Sequence, residues 1–128
     1  MKKLIPILLS ALLFTGCASS NNQTNTYRQI SMDEAVAMMA EKTGYIILDV
    51  RRADEFATGH IPGAINVANE SIGTDEIPEL PDKTQLIMVY CRSGRRSKEA
   101  AEKLVKLGYT NIVEFGGILD WKGEITTD

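Results

Sequence analysis

Cys91 is followed at once by Arg92, Ser93, Gly94, Arg95, Arg96 and Ser97, which puts a lone cysteine beside three cations. The thiolate is the nucleophilic form of cysteine, and cationic neighbours and helix N-termini favour it. Gly94 gives the chain the freedom to curl tightly, so that the backbone N–H groups of Arg92 through Arg96 can converge on a single anionic atom. The chemistry this allows is nucleophilic, with an anionic sulfur or sulfur–ligand adduct held by amides in the manner of an oxyanion hole. The arginine side chains supply attraction for a small anion. A cysteine serving only as core filler would not need three cations in the next five residues, which are costly to bury unpaired.

The flanking elements must present this loop. The run Leu86 to Tyr90 is apolar and rich in branched residues, and Gln85–Tyr90 reads as a buried strand. Lys98 to Leu107 reads as a helix closed by Gly108, with Ala100, Ala101, Leu104, Val105 and Leu107 inward. Its Glu99–Lys103 and Glu102–Lys106 pairs have supportive i,i+4 spacing. A strand entering a helix through a glycine turn is the setting in which N-terminal amides face a ligand.

The segment Cys91-Arg92-Ser93-Gly94-Arg95-Arg96-Ser97 resembles the active-site loop of the rhodanese family of sulfurtransferases. Three further stretches resemble the same family: Leu48-Asp49-Val50-Arg51; Glu55-Phe56 followed by Gly59-His60-Ile61-Pro62-Gly63-Ala64-Ile65-Asn66; and Gly116-Gly117 followed by Trp121. The likeness runs from about Ile30 to Lys122, nearly all of the chain after its N-terminal leader. It implies a three-layer α/β domain with a five-stranded, mainly parallel sheet and helices on both faces. It implies a thiosulfate sulfurtransferase, working through a Cys91 persulfide that passes its sulfur to cyanide or a thiol. Substrate would be bound by Arg92, Ser93, Gly94, Arg95 and Arg96, with no metal and no cofactor. For Asp49 and His60 it implies structural rather than catalytic roles.

Two other classes compete. A Cys-loop phosphatase or arsenate reductase would carry a Cys-x5-Arg loop sized for a tetrahedral oxyanion, whereas Cys91 to Arg96 is Cys-x4-Arg, a size suited to one sulfur atom. A membrane-tethered interaction module would have no need of the cysteine with its arginines. Thiol–disulfide exchange lacks a resolving cysteine near Cys91.

The remaining segments fit the same alternation. Tyr27 to Ile30 suits a short strand, and Ser31 with Glu34 forms a capping box for a helix over Met32 to Lys42, ended by Gly44. Tyr45 to Val50 is near-continuously apolar, as in a central parallel strand, and places Asp49 and Arg51 at its C-terminal end. Either Arg51 or Arg52 is available to pair with Asp49 or with Glu55. Ala53 to Thr58 suits one or two helical turns and Ala64 to Val67 a strand; Glu70 to Ile77 suggests a loose helix cut short by Pro78 and Pro81. Ile112 to Phe115 reads as the last strand, with a short helix begun by Gly116 to Trp121.

The 128 residues leave room for one domain, and the formal charge of −3, with the basic residues gathered at one loop and one helix, gives no nucleic-acid surface. The N-terminal residues read differently. Lys2 and Lys3 precede an apolar stretch, Leu4 to Phe14, too short to span a bilayer, and Thr15-Gly16-Cys17 follows. This resembles a bacterial lipoprotein signal, with residues 1–16 removed and Cys17 receiving lipid. Residues 17–26 then form a polar tether, holding a domain over 27–128 about 15–18 Å from the membrane. The expected location is the cell envelope, facing the periplasm, on the outer membrane in a Gram-negative organism.

Overall fold

The computed structural model describes residues 26–128; the expectations for residues 1–16 and for Cys17 lie outside them. The elements follow in the order β1 (Arg28–Gln29), α1 (Met32–Glu41), β2 (Ile46–Asp49), α2 (Ala53–Thr58), β3 (Ile65–Asn66), β4 (Ile87–Cys91), α3 (Arg95–Lys106) and β5 (Ile112–Gly117). Single 3-10 turns occupy Asn69–Ser71 and Ile118–Asp120. The sheet has five strands in the order β1-β5-β4-β2-β3, and every pair is parallel. β4 therefore lies at the centre, buried along its whole length.

The period-2 alternation of β4 divides the core into two layers. Ile87, Val89 and Cys91 face α3, joining Ala100, Ala101 and Leu104 with Val50, Leu80 and Ile112. Met88 and Tyr90 face the other way, toward Ala35, Met38 and Met39 of α1, with Ile61 and Phe115. Helices thus cover both faces, as a parallel sheet requires. The capping box at α1 forms as the sequence predicts: Ser31 Oγ accepts from the Glu34 N–H at 3.0 Å, and Glu34 Oε1 accepts from the Ser31 N–H at 2.8 Å.

Four local expectations are corrected. The segment after Asn69 is no helix beyond one 3-10 turn, because Ile72, Ile77 and Leu80 each insert into the core at irregular spacing. α3 starts at Arg95 rather than Lys98, since the positive φ of Gly94 (115°) lets the chain turn directly into it. β5 runs on through Gly117, and only a 3-10 turn follows. The anticipated pairs along α3 are replaced: Glu99 binds Arg95 at 3.0 Å and the Asn69 amide at 2.9 Å, while Lys103 Nζ donates to Asn69 O at 2.9 Å. Asn69, on the 3-10 turn packed against α3, takes up both Glu99 and Lys103, and Glu99 turns back to Arg95 rather than forward to Lys103.

Candidate active site

Cys91 is the last residue of the central strand, 1% exposed, with its side chain under the first turn of α3. The Gly94 N–H donates to Cys91 Sγ at 3.0 Å, and Ser97 Oγ lies 3.4 Å from the same sulfur. Arg95, Arg96 and Ser97 form the first turn of α3, so their N–H groups have no carbonyl partner within the helix. Their dipoles put positive potential over the sulfur.

Two glycines make this close geometry possible. Gly94, at φ 115°, adopts a left-handed conformation that a side chain would strain. Gly117 is the register partner of Cys91 on β5, and a Cβ there would lie 2.1 Å from Arg92 O and 2.5 Å from Ser93 N. Gly117 is therefore the backbone seat of the cysteine loop. Leu119 N–H secures the loop by donating to Arg92 O at 3.2 Å.

The three arginines occupy distinct situations. Arg96 is held by Glu55, through Nη1–Oε1 at 2.7 Å and Nη2–Oε2 at 3.1 Å, both side chains largely buried. The Arg96 hydrogen bonds hold the Glu55 carboxyl far below the ordinary range, at about 2. Arg96 is also close enough to Cys91 for a charge on the sulfur to act on it. Arg95 is exposed and paired with Glu99 along the helix. Arg92 and Ser93 are exposed, and Arg92 makes no ion pair among the described residues.

The choice between Arg51 and Arg52 is resolved by burial. Arg51, 5% exposed, chelates Asp49 through Nε (3.0 and 3.1 Å) and Nη2 (2.7 Å), and Nη2 reaches Gly59 O at 2.7 Å. Arg52 instead binds Asp54 at the surface and caps α2 through Glu55. Tyr90 joins the buried pair from below. Burial first, then its hydrogen bond with Asp49, raises the phenol well above its ordinary value. Its oxygen accepts the Ile61 N–H at 3.1 Å. Asp49 thus ties the strand end to the loop carrying His60.

His60 is 1% exposed, stacks on Phe56 with centroids 3.6 Å apart, and contacts Phe56 O at 2.9 Å and Asp128 O at 2.8 Å. Both ring nitrogens are engaged away from the sulfur. Trp121 packs against the α1-side core and donates to Glu124 O at 2.9 Å.

One further buried residue belongs to the site. Glu114, on β5, is 2% exposed and accepts from Ser97 Oγ at 2.5 Å and from the Gly116 N–H at 2.9 Å. The available signal is a glutamate inside an otherwise apolar strand, Ile112-Val113-Glu114-Phe115.

Residues 31–124 match the Rhodanese-like domain family. Thiosulfate sulfurtransferase PspE of Escherichia coli strain K12 is 36% identical over 73 residues, covering 57% of this chain and 70% of the relative. Thiosulfate sulfurtransferase GlpE of Pseudomonas entomophila is 32% identical over 97 residues, covering 75% of this chain and 85% of the relative. Among solved structures, a rhodanese with anions from E. coli superposes with a TM-score of 0.59 at 31% identity, over 66% of this chain and 99% of that one.

Proposed function

The chain belongs to the rhodanese-like domain family, and on that premise we propose that it transfers sulfane sulfur through a persulfide on Cys91. The observation that carries the reading is the sulfur itself: it ends the central strand, accepts the Gly94 N–H at 3.0 Å and lies beneath the first turn of α3. The Cys91 thiolate attacks the outer sulfur of thiosulfate or a similar donor. The donor S–S bond breaks, and sulfite leaves with the electron pair. The terminal persulfide sulfur is an anion, which the unpartnered N–H groups of the loop and first helical turn stabilise. Cyanide or a thiol then attacks that sulfur, and Cys91 leaves as thiolate. Two successive displacements give ping-pong kinetics.

Of the arginines, Arg92 is the one we assign to meeting the donor, because it is exposed and makes no ion pair among the described residues. Arg96 sets the potential from its fixed place against Glu55. We further propose that residues 1–16 act as an export signal and that Cys17 carries lipid, holding the domain at the periplasmic face of a membrane. Metabolic labelling with a fatty-acid probe tests this: label lost in Cys17→Ser supports it, and label retained or never incorporated overturns it.

Mass spectrometry of the purified protein tests the central reading. After thiosulfate treatment, the peptide containing Cys91 gains the mass of one sulfur atom, and cyanide removes it. Hydrolysis of p-nitrophenyl phosphate without thiosulfate:cyanide turnover overturns the assignment in favour of a Cys-loop phosphatase.

A further inference from the structure

Glu114 stands one hydroxyl away from the reactive sulfur. Cys91 Sγ lies 3.4 Å from Ser97 Oγ, and Ser97 Oγ lies 2.5 Å from Glu114 Oε2. All three residues are buried, with Cys91 1%, Ser97 0% and Glu114 2% exposed. Glu114 makes no ion pair among the described residues; its other partners are the Gly116 N–H at 2.9 Å and the Gln29 amide at 3.4 Å. An ionised carboxylate buried without a cation is costly. Holding the Ser97 hydroxyl in place does not require it, because Gly94 O at 3.0 Å and Gly116 O at 3.3 Å are also acceptors for that proton. A neutral glutamine would serve a purely structural need.

The geometry points to Glu114 as the store for the Cys91 proton, linked to it through Ser97. This inference rests on Cys91 being the sulfur carrier. Two anions so close in a buried site do not both ionise readily. One proton is therefore shared by the pair. In the resting state the thiol donates to Ser97 Oγ, and Ser97 donates to the Glu114 carboxylate. When the sulfur becomes nucleophilic, the Sγ–H bond breaks as Ser97 Oγ takes that proton, and the hydroxyl proton passes to Glu114 Oε2. The electron pair stays on sulfur. The thiolate then accepts hydrogen bonds from both Gly94 N–H and Ser97. The thiolate attacks the donor, the donor S–S bond breaks, and sulfite carries away its pair. The negative charge now sits on the terminal persulfide sulfur, and Glu114 is still neutral. When the acceptor removes that sulfur, the regenerated thiolate takes its proton back. The Cys91–Glu114 pair holds one negative charge at every stage.

Among the described residues, Arg92, Arg95 and Lys98 flank the loop at the surface, with Lys98 Nζ 3.8 Å from where a Cβ on Gly94 would stand. Arg96 on α3 acts on the sulfur and is neutralised by Glu55. Tyr27, ahead of β1, is close enough to Glu114 to feel its charge. The register partners of Glu114 are Gln29 on β1 and Val89 on β4, neither of which titrates.

The test is the rate of Cys91 alkylation by iodoacetamide against pH, read by mass spectrometry on the peptide that contains it. A coupled pair gives two macroscopic steps. The wild-type profile is expected to show two steps separated by a plateau, and Glu114→Gln a single step. Turnover of Glu114→Gln with thiosulfate and cyanide is expected to fall roughly 100–10,000-fold in kcat, with KM for thiosulfate changed less than about twofold. Infrared difference spectra of wild type before and after polysulfide loading are expected to gain a protonated-carboxyl C=O band, which Glu114→Gln lacks. A single-step wild-type profile, or loading with no carboxyl band gained, overturns the assignment. Those two measurements use wild type alone and decide the matter even where the variant does not fold. Absence of thiosulfate:cyanide turnover in wild type speaks against the sulfur-transfer reading instead, and the alkylation profile separates the two failures.

Discussion

At the scale of single residues, the division of labour follows from what each charge is bound to. Cys91 is the sole sulfur nucleophile of the described residues, so Cys91→Ser is expected to lose all detectable sulfur transfer while its circular dichroism and thermal unfolding stay those of the wild type. Glu55 has a structural charge. Arg96 depresses its carboxyl to about 2, from an ordinary value of 4.5. A depressed carboxylate stabilises the fold fully above its unfolded value and loses that contribution as pH falls through the folded one. Urea unfolding of Glu55→Gln is therefore expected to show a loss on the order of 1–2 kcal/mol at neutral pH, allowing for partial solvent screening. The gap between variant and wild type should close between pH 4.5 and about 2. A gap that persists unchanged at the acid end would mean that the Arg96 pair contributes nothing.

At the scale of elements, the site is a junction between β4, α3 and β5. The strand brings the sulfur to the sheet edge, the helix brings N–H groups to the sulfur, and Gly117 lets β5 and the loop approach to a distance no side chain allows. Gly117→Ala is thus expected to displace the Arg92–Ser93 peptide. Sulfur transfer should fall by at least about tenfold, with a loss of stability of roughly 1–3 kcal/mol. The measurements are turnover and urea midpoint, and wild-type values for both would show that the loop does not depend on this approach. The Asp49–Arg51 pair does comparable work at the end of β2, where its chelate reaches Gly59 O and fixes the His60 loop from within.

At the scale of the whole molecule, the two layers of core are separated by the central strand, and the site lies above the α3-side layer. Leu104 is fully buried in that layer and belongs to no part of the sulfur chemistry. Leu104→Ala is expected to cost about 2–5 kcal/mol, read as a lower thermal midpoint, while the variant that remains folded keeps near wild-type turnover. A large loss of activity at full folding would mean that the positions of the α3 amides depend on packing along the whole helix. Both outcomes bear on how tightly the first turn of α3 is tied to the rest of its length.

The proposed sulfur-bearing loop, the strand before it and the helix after it were legible in the chain alone, along with the capped α1 and an α/β domain built on a parallel sheet. These depend on turn residues, apolar periodicity and caps, all of which act within a few positions of the chain. The resemblance, rather than any local pattern, implied structural roles for Asp49 and His60. Which arginine is bound and which is open to solvent is set by the fold, because Glu55 and Arg96 lie 41 positions apart and meet through the ordering of β2 beside β4. The fold likewise places Glu114 behind Ser97, a contact made across the β5–α3 packing that no local pattern encodes. Pairing of buried charges is a property of what the fold brings together in low dielectric, and a list of neighbours along the chain does not contain it.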